Sequence, residues 1–338
     1  MPTLSRTPSD PFLQHIPRPY QVSLNVMGLP VQFASNQRRL LKLAQEAFED
    51  LPSKVPNIEQ AAPITVDLLG NTDCPADAFA KPPAYLQYAT AALFSAIFSP
   101  ADAVTCAYDT RHGLITVSPA MRQFPYNVRY EMIENATYHL VGHALDAVPL
   151  HGASLVYQDA GVLILGESGA GKSTLAVACL CAGWQLMGED STWVLPPMRG
   201  EGHLQLRGVP NFVHLLKDAL RFFPGQRWRG QDIVRRSGHI KLELDVRTQF
   251  KQATCVDAPA RALIFLQPHA QRARPFVRAV SPAQAARKLA ATQPFGAQHG
   301  RWPLVQEGLL KLPAYALYPS GDVHQGVSVL AECITSLS

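Results

Sequence analysis

Gly166, Gly171, Lys172 and Ser173 stand at the spacing G-x-x-x-x-G-K-[ST] within the run GESGAGKST. These residue types at this spacing hold phosphate, because the glycines let backbone N–H groups turn inward on phosphate oxygens where a helix begins. Lys172 would reach the β and γ phosphates of ATP, and Ser173 would ligate Mg²⁺. Glu167, Ser168, Gly169, Ala170 and Thr174 complete the stretch wrapped around the nucleotide. Ser168 belongs to loop geometry or phosphate contact, since its neighbours offer no base to make it a nucleophile. A bare match of this kind also arises as a tight turn, so its surroundings decide. The apolar run GVLIL comes immediately before it and a helical apolar pattern follows. Strand, loop and helix in that order are what phosphate binding needs.

A phosphate loop alone does not choose among ATPase, GTPase and kinase. The chain has no LSGGQ-like signature or apolar strand ending in Asp-Glu, as ABC-type ATPases require, and no N-K-x-D for guanine. The segment LHGASLVYQDAGVLILGESGAGKSTLAVACLCAGWQLMGEDS, residues 150–191, resembles the kinase domain of bacterial HPr kinase/phosphorylase. That family has a histidine-glycine pair one hairpin upstream of its loop, a short helix ending at glycine, and then a strand running into paired acids. His151 and Gly152, residues 166–173, Gly183, and Glu189 with Asp190 stand in those places. Further on, Arg207 and Gly208 in LQLRGVP are similar to the family's arginine-glycine strand.

The resemblance implies an α/β P-loop kinase domain of the HPr kinase/PEP carboxykinase-like type. It implies Asp190 as general base, taking the proton of an attacking hydroxyl while the loop and Mg²⁺ hold the transferring group in line. Glu189 is implied to share Mg²⁺ with Ser173, and His151 to orient or tune Asp190 if the hairpin brings it close. Arg207, with Lys172, is implied to stabilise charge on the transferring group. Each has an ordinary alternative: Asp190 a strand-end carboxylate, Glu189 a solvated acid, His151 a turn or core histidine, Arg207 a plain salt bridge.

Thr174 departs from the family, which tends to place an acid there, and no stretch of the kind PKITIPVRPGRN follows downstream. HPr as substrate, phosphorolysis and a hexamer are therefore not implied. The chain looks more like the divergent HPr-kinase-related serine kinases. The expectation is an ATP- and Mg²⁺-dependent kinase acting on a Ser or Thr hydroxyl of a protein or peptide. The alternatives are a small-molecule kinase using the same site and a non-catalytic ATP-sensing regulator. A homo-oligomer is among the arrangements left open.

The elements that would place these residues follow from periodicity. ASLVY and GVLIL read as strands around a tight turn at Gln158 and Asp159, and residues 172–182 as a helix stopped by Gly183. WQLMGED, HLQLRG, IKLELDV, ALIFLQ and LPAYALYP read as further strands, residues 282–291 as a short helix, and the C-terminus as a helical tail. Upstream, YQVSLNV and PVQFAS form a hairpin around Met27, Gly28 and Leu29; a helix capped by Ser35 or Asn36 follows. ITVDLL is a strand, AVTCAY and LITVSP pair as a hairpin, and residues 126–148 read as one helix. This predicts a flexible leader over residues 1–19, a smaller α+β domain over 20–148 whose role the sequence does not give, and the kinase domain over 149–338.

Composition narrows the partners. With 338 residues, 47% hydrophobic and 17% charged, the chain is long enough for two compact domains. A net charge of +4 is too mild to argue for nucleic acid. No apolar run is long enough to cross a bilayer and the leader lacks a signal-peptide core, so a cytoplasmic location is expected. Six cysteines show neither a C-x-x-C pair nor zinc spacing and read as buried thiols. Residues 217–241 carry seven basic residues against two acids with Phe222, Phe223 and Trp228 between them; this reads as a solvated basic loop, or as a lid over the nucleotide or a surface for an acidic peptide, with nucleic acid the remaining and least favoured reading. His203, His214 and His239 lack metal spacing and read as incidental.

Overall fold

A computed structural model describes residues 15–52, 63–71, 79–197, 203–250, 252–268 and 274–337. Most of the expected leader, and Cys74 among the cysteines, lie outside the described residues. The architecture is mixed α/β, with both parallel and antiparallel pairings. The described chain divides into two units: one within residues 15–24, 31–46 and 64–137, the other within 25–30, 47–52, 63 and 138–337.

The first unit is built on a seven-stranded sheet. Its strands are β1 (Tyr20–Val26), β2 (Leu29–Ser35), β3 (Ile64–Gly70), β4 (Leu86–Ala89), β5 (Leu93–Ser99), β6 (Asp102–Ala107) and β7 (His112–Val117), in the order β1-β2-β3-β7-β6-β5-β4. β3 runs parallel to β2 and β7, whereas β4 to β7 form antiparallel neighbours. In β2 the side chains alternate, Leu29, Val31 and Phe33 buried and Pro30 and Gln32 exposed, as a strand with one covered face requires. The β4–β5 hairpin was not anticipated.

Helix α1 (Arg38–Phe48) forms where its apolar spacing places it, but not from the expected caps. Ser35 Oγ donates to Leu68 O at 2.6 Å and accepts from Gln37 N at 3.0 Å, one residue short of the helix, and Asn36 closes its amide on both backbone groups of Gly70. Gln37 O instead receives Leu40 N and Leu41 N. The single helix expected over residues 126–148 is also broken up. It becomes α2 (Pro125–Asn127), a π-helical stretch Val128–Glu134 and α3 (Asn135–Ala144), closed by Asp146 at φ +51°. The wider π turn stacks residues five apart, and Arg129 and Glu134, both buried, pair across it at 2.5 Å.

The strands of the second unit start with β8 (Val148–His151), whose first residue falls at the end of what reads as helix. Then come β9 (Ala153–Tyr157), β10 (Ala160–Leu165), α4 (Lys172–Cys181), β11 (Gln185–Gly188), β12 (Ser191–Leu195) and β13 (Gln205–Arg207). β14 (Phe212–Leu216), β15 (Gly230–Val234), β16 (Ile240–Asp245) and the short α5 (Val246–Gln249) follow. The chain ends with β17 (Asp257–Leu266), β18 (Phe276–Ala279), α6 (Pro282–Thr292), α7 (Trp302–Leu310), β19 (Ala314–Tyr318) and α8 (Val323–Thr335). Nine strands make the large sheet, ordered β11-β9-β10-β17-β13-β12-β8, with β19 beside β17 and β18 beyond it. β17 is parallel to β10 and β19; the other pairs are antiparallel.

Both faces of β10 are covered. Val162 and Ile164 pack in a cluster with Leu175 and Leu180 of α4 and Val327 and Leu330 of α8. Leu163 and Leu165 pack in another with Leu289 of α6 and Val305 and Leu309 of α7. A strand buried on two sides reads as an unbroken apolar run, and each such side chain contributes about 1.5–3 kcal/mol. The tight turn before it has Gln158 and Asp159 both at positive φ.

β14, β16 and β15 form a separate three-stranded sheet. The second half of the basic segment is therefore a hairpin and not the loop expected. Phe223 is buried and meets Trp228 edge to face at 5.5 Å.

Candidate active site

The loop joins β10 to α4 at the carboxyl end of a buried strand. Gly166 is required by closeness, because a Cβ there would lie 2.9 Å from Leu266 O. Gly171 is required by conformation, since it caps α4 at φ +99°. Lys172 is buried and its Nζ donates to Gly166 O at 2.9 Å and Glu167 O at 3.1 Å. Burial lowers its pKa below the usual lysine value; Asp190 and Glu189 oppose that shift and Lys241 adds to it. The loop lysine thus feels both acids of the flanking turn.

Glu189 and Asp190 fill the turn between β11 and β12. Ser173 Oγ donates a hydrogen bond to Glu189 Oε1. β8 pairs with β12 so that His151 lies opposite Ser191, and this register delivers the imidazole to Asp190. His151 Nδ1 stands 3.5 Å from Asp190 Oδ1 and 3.1 Å from Asp190 O. The buried amide of Gln293 holds the backbone of His151 from the other side: its Oε1 accepts from His151 N at 2.8 Å and its Nε2 donates to His151 O at 3.0 Å.

Behind Glu189 runs a polar chain, buried as far as Glu243, that sequence reading missed. His214 Nδ1 meets Glu189 Oε2 at 3.2 Å, and its Nε2 meets Glu243 Oε1 at 3.0 Å. Gln231 Nε2 donates to the other oxygen of Glu243 at 2.7 Å. Carboxylates only accept, so a ring bonded to one on each nitrogen carries both protons. Burial alone would lower the pKa of His214, but the hydrogen bonds and charges of Glu189 and Glu243 outweigh it and raise it. His214 is therefore a central residue and not the incidental one expected. Its signal was a lone polar residue in the apolar strand FVHLL, but its partner depends on the register that sets His214 opposite Glu243.

Arg207 and Arg235 meet different acids. Arg207 is buried, opposite Asp257 in the β13–β17 register, and its Nε donates to Asp257 Oδ1 at 3.0 Å. Its Nη1 donates to Met27 O at 3.4 Å. This is the plain salt bridge, in place of a cation directed at the transferring group. Arg235, in the turn between β15 and β16, instead puts Nη2 3.1 Å from Asp190 Oδ2.

The donor set beside the loop suits a hard cation. The Ser173 hydroxyl and Glu189 carboxylate are oxygen ligands of the kind Mg²⁺ takes, complemented by phosphate oxygens and water. Among the described residues no group of three or more His, Cys, Asp and Glu could hold a metal on its own.

No family model matches the chain. HPr kinase/phosphorylases of Xanthomonas campestris pv. campestris and Xanthomonas oryzae pv. oryzae are 39% identical to it over 62 residues, 18% of this chain and 20% of theirs. The chain thus spans about a fifth of the length of these curated relatives. The solved HPr(Ser) kinase/phosphatase from Coxiella burnetii aligns with a TM-score of 0.29 at 17% identity, covering 56% of this chain and 88% of that one. The chain has an HPr-kinase-like relationship that covers part of its length.

Proposed function

We propose that this protein is an ATP-dependent kinase that transfers the γ-phosphoryl group to a Ser or Thr hydroxyl of a protein or peptide. The second unit serves as its P-loop kinase domain of the HPr kinase/PEP carboxykinase-like type, and the first as a smaller α+β domain. The observation that carries this reading is the grouping of Asp190, held by His151 and Arg235, next to Glu189, itself bonded to Ser173 of the loop. An acid bonded to the loop serine and a second acid beside it serve two different needs.

Asp190 takes the proton of the acceptor hydroxyl as that oxygen forms its bond to the γ phosphorus; the bond from phosphorus to the β–γ bridging oxygen breaks and ADP leaves. His151 and Arg235 fix the direction of the Asp190 carboxylate, which is the positioning that phosphoryl transfer chiefly asks of a protein. Lys172 and the loop N–H groups hold the phosphates. Mg²⁺, when bound by Ser173 and Glu189, supplies charge neutralisation. The reading places the protein in the cytoplasm; among the described residues no helix is long and apolar enough to cross a membrane.

The test is transfer from γ-labelled ATP in a lysate of the host, followed by identification of the labelled species. A labelled protein or peptide is expected with the intact chain and not with Lys172→Ala. Label on a small metabolite would move the reading to a small-molecule kinase. Nucleotide binding without any transfer would favour a regulator.

A further inference from the structure

The kinase reading brings a strongly anionic triphosphate up to two carboxylates, a repulsion that Lys172 and Mg²⁺ offset on the side of the loop and Glu189 and that a further cation beside Asp190 would offset on the other. Arg207 does not fill that need, because its guanidinium is bound to Asp257 in the interior. The β15–β16 hairpin does. Its residues 235–239 form a tight turn, with Arg235 N donating to His239 O at 3.0 Å and Gly238 N to Arg235 O at 2.8 Å, Gly238 taking φ +82°. This turn sets Arg235 on Asp190 at 3.1 Å with about a fifth of its side chain exposed (20%). The root of the same hairpin is anchored on the other acid, through Gln231, Glu243 and His214 to Glu189. Two residues past the turn, Lys241 adds to the lowering of the Lys172 pKa, so the charge of the hairpin reaches the loop lysine. A guanidinium offers five N–H donors in a planar fork, so one edge can stay on Asp190 while another grips a phosphate.

We propose that Arg235 is a γ-phosphate-binding residue, by which the site distinguishes ATP from ADP. The proposal rests on the kinase reading only in placing Mg-ATP at residues 166–174. Arg235 orders the base and the phosphate it serves with a single group, and ADP, lacking the terminal phosphate, forgoes that contact.

The experiment measures the affinity of the full chain for Mg-ADP and for the non-hydrolysable Mg-adenylyl imidodiphosphate by calorimetry. The intact protein should prefer the triphosphate, and Arg235→Gln should reduce that preference at least tenfold while leaving Mg-ADP affinity within about twofold. Arg236→Gln, which removes an equal charge from the exposed neighbouring residue, should leave the preference as it is. Arg235→Ala gives an independent version of the same reading, and thermal unfolding checks that each variant is folded. An unchanged preference in folded Arg235→Gln or Arg235→Ala, no preference in the intact protein, or an equal loss in Arg236→Gln each overturns the assignment. The two readings fail separately: a transferring enzyme with an unchanged preference refutes Arg235 alone, while an Arg235-dependent preference without transfer refutes the kinase.

Discussion

His214 Nδ1 lies 3.2 Å from Glu189 Oε2, which ties the acid that bonds the loop serine to a strand of the small sheet. With Glu243 on its other nitrogen, His214 is a buried cation between two buried anions. His214→Ala removes the cation and leaves both carboxylates uncompensated, a situation that costs about 3–5 kcal/mol. Urea unfolding should show a loss of that size, and Glu243→Gln in the same background should recover part of it. Near-wild-type stability of His214→Ala would mean that the two acids need no cation between them.

Asp190→Asn keeps the shape of the side chain and removes its ability to take a proton. Loss of a positioned general base costs typically 10²–10⁴-fold in rate. Transfer should fall by about that factor while Mg-ATP affinity changes only a few-fold, since Lys172 and the loop remain. A variant that transfers at the wild-type rate would remove Asp190 from the chemistry.

The Arg207–Asp257 pair makes a different kind of prediction. Both residues lie opposite each other on neighbouring strands, with Arg207 the more deeply buried. Arg207→Gln should therefore act on stability, lowering it by about 2–4 kcal/mol, because Asp257 loses its partner in a largely desolvated place. Asp257→Asn should show a similar loss, and the double variant should be less destabilised than the sum. Additive losses would show that the pair is not a unit.

What could be read beforehand was local. GVLIL is apolar throughout because β10 is covered on both faces, and the glycines of the loop announce themselves by spacing. What could not be read depends on register between distant residues. Gln293 reaches His151 across 142 positions, and His214 finds Glu243 across 29. The salt bridge of Arg207 depends on Asp257 standing opposite it on the neighbouring strand, and the contact of Arg235 on a turn that brings it to Asp190; neither is visible to periodicity. The helix read over residues 126–148 failed for a related reason: the π turn is linked to a buried pair of Arg129 and Glu134, while the pattern of apolar residues alone still favours ordinary helix.

His139 of α3 carries the pH prediction. Burial pushes its imidazole down from 6.5 to about 4. The unfolded chain takes up the proton near 6.5 while the folded chain resists it to about 4, so the unfolded state binds more protons between these values. Stability is therefore fully present above pH 6.5 and declines as pH falls, by about 2 kcal/mol at pH 5 from this residue alone. Carboxylates titrate in the same range, so the measurement is a comparison. Urea unfolding at pH 7 and pH 5 should show a loss in the intact protein that shrinks by roughly that 2 kcal/mol in His139→Gln. Equal losses in the two proteins would place the acid sensitivity elsewhere.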